Sequence, residues 1–436
     1  MSAVSDSLHR LDEIVGDANL LTATEAVSRY TVDGQQPLAV ACPGSPEEVA
    51  ALLRTAAEAR LSVLLRGGGQ HLYLGAPSEP IGLVVSLARL DRIVEYQAGD
   101  LTVTAQAGVS LGSLQRRLGE HEQVLPLDPP GPATATLGGI AASNLAGPMR
   151  MRYGSPRDLV LGLRVALTDG EVIRTGAKTV KNVAGYDLSK LFIGSMGTVG
   201  AIVELTLRLI PRPEERGMLM AVLSPERARQ AVTEVIGSRL EISACNVITH
   251  PAATRIAGHL PITVAGDAHL VAVGLSGPHE AIARQDREMR ALLGDACVGL
   301  TGKEADSMWE QLRGLAYPRE REATLLRISV PIAAVPDVLE LISSQPGWCA
   351  AAHAGDGIVY AWPAEEADLL TVKKVLDLLR GTASGMGGFA ILESGSVALK
   401  RQFPVWGDQV ANGDLMAALK AAYDPTGVLG CGRFVC

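Results

Sequence analysis

Hydrophobic residues near the start of the chain form two short runs that flank a segment with helical spacing. Residues 38–42 and 62–65 are almost continuously apolar, whereas residues 47–61 repeat apolar side chains every three or four positions. Ser45 stands where such a helix takes its N-terminal capping residue. The order predicts a strand, a helix and a second strand, which together form a βαβ unit.

Shorter alternating segments follow and predict a sheet without long parallel crossovers. A hairpin turn is expected at 168–171, where Asp169 and Gly170 separate two apolar runs. The expected strands are 83–86, 93–96, 102–105, 160–167, 172–175 and 202–210, with a helix at 111–118. Because short strands dominate over crossover helices, the predicted fold class is α+β and not a doubly wound parallel sheet.

The prolines Pro211 and Pro213 mark a boundary, because proline interrupts a strand ladder. Beyond them the pattern predicts a separate antiparallel sheet backed by helices, and no sequence repeat is apparent. The expected helices are 225–236, 279–293 and 405–422, and strands are expected near 243–248 and 269–275. We therefore expect an N-terminal domain (1–212, core from about 35), a cap domain (213–400) and a C-terminal segment (401–436) that packs back on the first domain.

The composition suits a protein with two cores and no disulfides. The chain has 436 residues, 47% of them hydrophobic, which exceeds what a single core usually holds. Its six cysteines include no pair with CxxC spacing, so neither a zinc site nor an iron–sulfur cluster is expected. Free thiols in a reducing cytoplasm fit this pattern best.

Charge and hydropathy exclude two kinds of partner. A formal net charge of −8 without a basic run argues against nucleic acid. The N-terminus does not resemble a signal peptide, and Asp267 and His269 interrupt the apolar stretch at 260–275, so no transmembrane segment is expected. The expected location is the cytoplasm, with peripheral attachment to the inner face of the membrane through partner subunits left open.

The clearest chemical signal is the segment Arg66–Gly75, with sequence RGGGQHLYLG, which directly follows a predicted strand. Consecutive glycines let several backbone N–H groups converge on one anion, because no Cβ blocks a close approach. A pyrophosphate suits such a loop, although a plain tight turn explains three glycines equally well. The spacing differs from GxGxxG, which makes a Rossmann site a weak alternative.

Two further segments rich in small residues lie in the same predicted domain. Residues 129–147 combine glycines and alanines with hydroxyl and amide side chains, which suits contact with a flat ring system. Residues 178–202 lead from a polar, cationic stretch into a second glycine-rich turn. Each segment alone is compatible with a surface loop, whereas three of them together favour a cofactor site.

These segments resemble the FAD-binding domain of the vanillyl-alcohol-oxidase and p-cresol-methylhydroxylase (PCMH) type. Within it they resemble the glycolate oxidase FAD-binding subunit, the smaller of the two flavin-type subunits of that complex. The likeness covers nearly the whole chain and includes VWG at 405–407 and YDPTGVLGCGRF at 423–434. It implies an FAD-binding domain followed by a cap domain. It also implies a part in oxidising glycolate or D-lactate, beside a larger FAD-binding subunit and an iron–sulfur subunit.

The resemblance assigns FAD contacts to three groups of residues. The first group holds the pyrophosphate, the second flanks the isoalloxazine and ribityl chain, and the third clasps the adenosine side. The groups are Arg66, Gly67, Gly68, Gly69, Gln70, His71 and Leu72; then Thr136, Gly138, Gly139, Ser143 and Asn144; then Gly194, Ser195, Gly197, Thr198, Gly200 and Ile202. Some relatives attach FAD to a histidine directly after the last loop glycine; this place holds Gln70, so non-covalent FAD is expected.

Catalytic residues are harder to assign. Oxidation of a 2-hydroxyacid needs a base, a hydride path to the flavin and a cation for the carboxylate. Related dehydrogenases carry a HxGDGNxH motif with two metal-binding histidines; here His353 is retained and Tyr360 replaces the second. Glu393 resembles the glutamate of a later glutamate–histidine–glycine motif in the family. Ser394 stands where that motif has its histidine. The candidates are therefore His353, Glu393 and the tail residue Arg433, and no metal is expected.

Three functions remain open at this point. The first is an electron-transfer FAD subunit of a glycolate dehydrogenase complex, whose iron–sulfur centre belongs to another subunit. The second is a self-sufficient FAD dehydrogenase or oxidase for a 2-hydroxyacid or an alcohol. The third is a non-catalytic scaffold that has lost its flavin, which the glycine loops make least favoured.

Overall fold

The computed structural model describes residues 2–434 except 79, 178–186, 295, 319, 321, 409 and 431. The α-helices are α1 (Ser2–Val15), α2 (Thr24–Ser28), α3 (Pro46–Glu58), α4 (Leu111–Gly119), α5 (Leu137–Ser143), α6 (Arg150–Tyr153), α7 (Pro156–Leu159), α8 (Ser189–Phe192), α9 (Pro225–Gly237), α10 (His250–Ala253), α11 (His279–Leu293), α12 (Gly302–Gly314), α13 (Val335–Ser343), α14 (Leu369–Gly385), α15 (Val397–Gln402) and α16 (Gly413–Tyr423).

The strands before residue 212 are β1 (Leu20–Leu21), β2 (Ala39–Ala41), β3 (Val63–Arg66), β4 (Leu83–Ser86), β5 (Ile93–Gln97), β6 (Thr102–Gln106), β7 (Gln123–Val124), β8 (Val160–Ala166), β9 (Val172–Gly176), β10 (Ala201–Arg208) and β11 (Ile210–Pro211). The later strands are β12 (Glu215–Leu223), β13 (Ile242–Thr249), β14 (His269–Gly277), β15 (Val298–Thr301), β16 (Leu325–Ser329), β17 (Trp348–His353), β18 (Ile358–Pro363) and β19 (Phe389–Ser394).

The predicted βαβ unit is present and lies in a small sheet of order β1-β2-β4-β3. The strands β2, β4 and β3 are parallel, and α3 connects β2 to β3. The Ser45 hydroxyl accepts a hydrogen bond from the Glu48 amide and caps α3, as expected. This helix packs its apolar face between the small sheet and a second sheet.

The second sheet is antiparallel, with order β5-β6-β10-β8-β9. The predicted hairpin joins β8 to β9, and Gly170 takes φ +91° in its turn. Alternate residues of these strands enter one core with α3 and α4, which explains their buried apolar pattern. Short strands and antiparallel pairing confirm the predicted α+β class.

The third large sheet has eight antiparallel strands in the order β15-β12-β14-β13-β17-β18-β16-β19. It consists of two βαββαβ units, β12-α9-β13-β14-α11-β15 and β16-α13-β17-β18-α14-β19, with mirrored strand orders. The units join edge to edge where β13 pairs with β17, in the register Asn246↔His353. The chain therefore contains a topological repeat that its sequence does not reveal.

The two faces of this sheet are covered differently. Helices α9, α11, α13 and α14 cover one face and form a large apolar core with it. The other face carries a smaller apolar cluster under α10 and α12. The N-terminal part reaches the sheet through α6, where the Arg152 guanidinium donates to the Glu241 carbonyl at 2.7 Å.

Residues near the C-terminus return to the first sheet. The Val63 amide donates to the Val428 carbonyl at 2.7 Å, and the Gly430 amide donates to the Val63 carbonyl at 2.9 Å. The Lys420 ammonium also donates to the Thr198 carbonyl at 2.7 Å. The two bonds of Val63 extend the sheet beyond its edge strand β3, and the Lys420 bond ties α16 to the turn before β10.

The expected last helix at 405–422 is wrong at its start, because α16 begins at Gly413. Gly407 has φ +96° and Asn412 has φ +61°, and both conformations interrupt a right-handed helix. The apolar residue Val405 belongs instead to the turn after α15, where its carbonyl accepts from the Leu392 amide at 3.0 Å. Within the described residues, no helix is both long and apolar enough to cross a membrane.

Candidate active site

The glycine segment after β3 forms a loop that packs directly on residues 134–136. A Cβ on Gly67 would clash with the Thr136 hydroxyl, and Gly69 has φ +79°. The Gly68 amide donates to Thr136 Oγ1 at 3.4 Å. These positions require glycine, because a side chain would separate the loop from its neighbour.

A cavity lies between this loop and the turn that contains Met196. It brings together ten of the sequence-predicted site residues from three separate stretches of chain. They are Gly67, Gly68, Gly69, Gln70, His71, Leu72, Thr136, Gly139, Ser143 and Arg433. Met196, with φ +53°, also lines the cavity and was not predicted.

Other predicted FAD contacts stand behind this cavity. The Arg66 guanidinium lies 4.6 Å from the Tyr30 ring centroid and donates to the Arg29 carbonyl. Gly138 packs so closely on Ala107 that a Cβ would crowd it. Asn144 has φ +49° and its Oδ1 accepts from the Arg157 amide at 3.1 Å, so it ends α5.

The turn at 194–202 holds the Met196 side of the cavity in place. Amides of Gly194 and Met196 donate to carbonyls of α5 at 3.0 and 2.8 Å. Gly197, Gly200 and Ile202 pack on the core, while Ser195 and Thr198 are buried and bond within the turn. The part of the third predicted segment at 178–186 lies outside the described residues.

His71 shares the cavity with backbone groups. Its Nε2 lies 3.3 Å from the Pro130 carbonyl, and burial lowers the pKa of its imidazole. A neutral ring that donates from Nε2 leaves Nδ1 as an acceptor. The loop, its glycines and the flanking small residues suit a dinucleotide phosphate chain with little side-chain charge, and they fit FAD.

Arg433 anchors the far end of the glycine segment. Its Nη1 donates to Asp33 Oδ2 at 2.8 Å and to Ser78 Oγ at 3.0 Å. Its Nη2 donates to the carbonyls of Leu72 and Leu74. With its donors committed to these groups, Arg433 holds the loop in position beside the cavity.

A polar band crosses the eight-stranded sheet on the face opposite helices α9 and α13. Alternation along the strands places the band on the face that carries α10 and α12. Five adjacent strands contribute one side chain each, namely Asn246, His353, Tyr360, Arg327 and Glu393. Two of them, His353 and Glu393, are sequence-predicted catalytic candidates, and the fold brings them to one surface.

His353 lies at the centre of this band. Its ring centroid is 5.3 Å from that of Tyr360, and its Nδ1 is 3.9 Å from Asp356 Oδ2. Burial, with Arg150 nearby, lowers the pKa of His353 to about 3, and burial raises the pKa of Asp356 to about 7. Neither His353 Nδ1 nor Asp356 Oδ2 has a hydrogen-bond partner within the described structure.

Glu393 is fully buried and is held by Arg327. The Arg327 Nε donates to Glu393 Oε2 at 2.5 Å, while Glu393 Oε1 has no partner among the described residues. Burial raises the pKa of the Glu393 carboxyl, and Arg327 opposes that rise. The arrangement leaves a buried acceptor oxygen without a hydrogen bond, which is costly unless a ligand or water donates to it.

Tyr73 links the glycine loop to the band. Its ring is 5.8 Å from the Tyr317 ring, and its hydroxyl has no partner in the described part of the chain. Burial raises the pKa of Tyr73, and the nearby Glu393 and Tyr360 raise it further. Two unpartnered polar atoms, the Tyr73 hydroxyl and Glu393 Oε1, therefore belong to neighbouring side chains at the junction of the loop and the band.

Sequence reasoning missed Arg327, Tyr73 and Asn246. Arg327 occurs within an ordinary apolar strand, LLRISV, where a single arginine is typical of an exposed edge. Its position opposite Tyr360 follows only from strand pairing. Among described residues, no group of three or more His, Cys, Asp or Glu side chains is placed to hold a metal ion.

Comparison with known families assigns both parts of the chain. Residues 37–176 match the model of the FAD binding domain, and residues 212–434 match the C-terminal domain of FAD linked oxidases. These matches define the class, an FAD-dependent oxidoreductase, and confirm the predicted cofactor FAD. The second match alone spans half of the chain, so the chain belongs to the family of FAD-linked oxidases.

Individual relatives agree with this assignment. The D-lactate dehydrogenase of Archaeoglobus fulgidus is 30% identical over 99% of this chain and 98% of its own. The glycolate oxidase subunit GlcD of Bacillus subtilis is 28% identical over 98% of this chain and 96% of its own. The glycolate oxidase subunit GlcE of Escherichia coli is 32% identical over 62% of this chain and 69% of its own.

Solved structures confirm the expected PCMH-type fold. A p-cresol methylhydroxylase with bound substrate superimposes with a TM-score of 0.74, covering 99% of this chain and 97% of its own. A 4-ethylphenol oxidase from Gulosibacter chungangensis gives a TM-score of 0.72 and covers 97% of its own chain. Identities of 16% and 18% limit these likenesses to the fold.

Proposed function

We propose that this chain takes part in the FAD-dependent oxidation of a small 2-hydroxyacid, such as glycolate or D-lactate, to the 2-oxoacid. The observation that carries the proposal is the polar band beside the glycine loop, with its orphaned donors and acceptors. Buried polar atoms without partners are rare, and a polar ligand bound at the band would complete the hydrogen bonds of Tyr73, His353 and Glu393. The named activities of the full-length relatives favour a hydroxyacid as that ligand.

The predicted FAD contacts are part of the proposal. The nine predicted FAD contacts on the cavity wall would meet the cofactor directly, whereas Gly138, Asn144 and the 194–202 turn would support the wall from behind. Gln70 follows the last loop glycine, where some relatives have the histidine that attaches FAD covalently. Its side-chain amide cannot form that bond, so we propose that FAD is bound non-covalently. FAD held by these residues would supply the acceptor for a hydride from the substrate α-carbon.

The polar band supplies the proton acceptor. His353 is uncharged near neutral pH because burial lowers its pKa, and Nδ1 would accept the hydroxyl proton of a bound hydroxyacid only with a negative charge beside it to stabilise the imidazolium. Asp356, 3.9 Å from that nitrogen, would stabilise the imidazolium that forms. Tyr360 and Tyr73 offer further hydroxyl groups that orient the substrate.

The proposal places the chain in a complex, as the smaller FAD-binding subunit of a glycolate oxidase. The absence of CxxC spacing from the sequence supports a separate iron–sulfur partner as the next electron carrier. The partial match to GlcE of Escherichia coli supports the subunit type. A self-sufficient dehydrogenase is the second candidate, favoured by the full-length match to the D-lactate dehydrogenase.

Anaerobic reduction of the purified chain tests both candidates. The FAD-loaded chain is mixed with glycolate or D-lactate, and the visible flavin absorbance is followed alone and after addition of candidate larger and iron–sulfur subunits. Bleaching only within the assembled complex supports the subunit role, and bleaching of the isolated chain supports the self-sufficient dehydrogenase. A chain that fails to take up FAD, or that no 2-hydroxyacid reduces in either setting, would disprove the proposed function.

A further inference from the structure

Only part of the Arg327 guanidinium is hydrogen-bonded within the described structure. Its Nε is committed to Glu393, but Nη1 and Nη2 donate to no acceptor among the described residues. The side chain retains 24% exposure, whereas the Glu393 side chain has none. The pair therefore presents a fixed guanidinium with two free nitrogens to the space in front of the sheet.

The surroundings of Arg327 favour an anionic guest. Tyr360 lies directly opposite it in the strand register, and Tyr73 approaches from the glycine loop. The Tyr73 hydroxyl and Glu393 Oε1 are both buried and without partners in the described structure. A planar carboxylate matches the two parallel donors of a guanidinium, and tyrosine hydroxyls complete its remaining lone pairs.

We propose that Arg327, held in place by Glu393, binds the substrate carboxylate, and that this site works without a divalent metal ion. The inference rests on the proposed function and names the group that anchors its substrate. Glu393 positions the guanidinium by fixing Nε, which leaves the Nη1 and Nη2 edge for the ligand. Specificity for acids over simple alcohols follows, because an alcohol leaves the cation unpaired.

A purely structural ion pair explains the geometry less well. A structural arginine normally commits most of its five donors, as Arg433 does with Asp33, Ser78 and two carbonyls. A metal site at Glu393 is also disfavoured, since a fixed positive charge 2.5 Å from the carboxylate would repel a divalent cation. The guanidinium supplies the charge that a metal would otherwise bring.

Oxalate is a suitable probe, because it carries carboxylates and cannot donate a hydride from an α-carbon. We would titrate oxalate into the FAD-loaded protein, follow the perturbation of the flavin absorbance spectrum, and repeat the titration after dialysis against EDTA. Arg327→Met should weaken oxalate binding by at least about 30-fold, and Arg327→Lys should recover part of the loss. EDTA should change nothing.

A double variant guards against a folding defect. Arg327→Met leaves Glu393 without its partner, whereas R327M/E393Q replaces the ion pair by neutral groups of similar shape. The matched control is Arg229→Met, since Arg229 pairs with Asp337 and Glu340 on the helix-covered side of the sheet. The double variant should bind FAD and lose oxalate, and the control should keep both.

The outcomes separate this inference from the proposed function. Wild-type protein that a 2-hydroxyacid reduces, combined with unchanged oxalate affinity and unchanged KM in the FAD-loaded double variant, would overturn the role of Arg327 alone. Loss of oxalate binding after EDTA, restored by Zn²⁺ or Mn²⁺, would overturn the metal-independent site. A rise in KM for the hydroxyacid with a smaller change in kcat supports the anchoring role.

Discussion

His353 and Asp356 face each other across 3.9 Å without a hydrogen bond, an uncommon situation for two buried polar side chains. A shared ligand atom or water between them would satisfy both groups. Because burial lowers its pKa, the imidazole is neutral at physiological pH, which is the state that the proposed role as a proton acceptor requires. This gives the retained histidine a use that does not depend on a second histidine at position 360.

Replacing His353 by asparagine should lower kcat for 2-hydroxyacid oxidation about 100-fold, because the proton acceptor is lost while a polar side chain remains. The measurement is the rate of anaerobic flavin reduction at saturating substrate. His269→Asn is the matched control, since His269 is equally buried and lies on the helix-covered side of the same sheet. Equal rates in wild type and His353→Asn would remove His353 from the chemistry.

Some site residues were predictable from the chain alone, and others were not. His353 and Glu393 belong to segments that resemble family motifs. The consecutive glycines at 67–69 indicate a loop whose backbone approaches another group closely. Arg327 gives no such signal, because its role depends on pairing with Tyr360 and on Glu393 in the neighbouring strand β19. Contacts that arise from strand order have no local pattern to read.

At the scale of elements, the glycine loop is the most constrained part of the site. Gly67→Ala should abolish FAD binding or weaken it by at least about 100-fold, because the added methyl group meets the Thr136 hydroxyl and displaces the loop. The FAD content of the purified protein, read from its visible absorbance, checks this. Gly99→Ala, where nothing lies within 4 Å of the new methyl group, should keep full FAD content.

Equal FAD binding by Gly67→Ala and Gly99→Ala would contradict this prediction. If Gly67→Ala retained normal FAD content and affinity, the cofactor backbone could not pass close to this loop. Fluorescence quenching during FAD titration of the cofactor-free protein gives the affinity directly. Thermal unfolding of the cofactor-free variants shows whether any loss belongs to the loop or to the whole fold.

Elements with a strong local signal were predicted well. Helix α3 has a capping serine, a proline in its first turn and a regular apolar face, and the β8–β9 hairpin has its Asp169-Gly170 turn. The last helix was placed too early, because the apolar residues around Val405 serve a turn that supports β19. The mirrored βαββαβ units could not be predicted from the sequence, because equivalent positions in the two units share burial but not residue identity.

On the scale of the molecule, Asp128 couples stability to pH. It lies next to the boundary between the N-terminal part and the eight-stranded sheet, where its Oδ2 accepts from the Met149 amide at 3.0 Å. Burial raises the pKa of Asp128 from 3.8 to about 7 in the folded protein. Folding therefore favours the protonated form, so its stabilising contribution is full below about pH 4 and is lost as the pH rises through 7.

We expect the free energy of unfolding to fall by on the order of 1 kcal/mol between pH 6.5 and 8, and Asp128→Asn to remove about half of that fall. Asp356 shifts in the same direction and adds a similar fall, which Lys400 partly offsets because burial lowers its pKa to about 8. His353 acts oppositely, since its lowered pKa contributes stability that is lost only as the pH falls below 6.5. Urea unfolding at several pH values provides the measurement.

Asp91→Asn serves as the exposed control and should leave the pH profile as it is in the wild-type protein. A profile for Asp128→Asn that matches the wild type would mean that Asp128 is ionised in the folded state throughout this range. The same experiment with and without FAD shows whether cofactor binding changes the pH dependence of the free energy of unfolding.

The return of residues 428–430 to the edge strand β3 sets an order of events during synthesis. Val63 leaves the ribosome long before its partners Val428 and Gly430, and the whole eight-stranded sheet is made in between. The eight-stranded sheet can therefore complete its own hydrogen bonds while β3 of the first sheet still lacks the bonds to residues 428–430. We therefore expect stable cofactor uptake only after residues 428–433 are made, because Arg433 also lines the cavity.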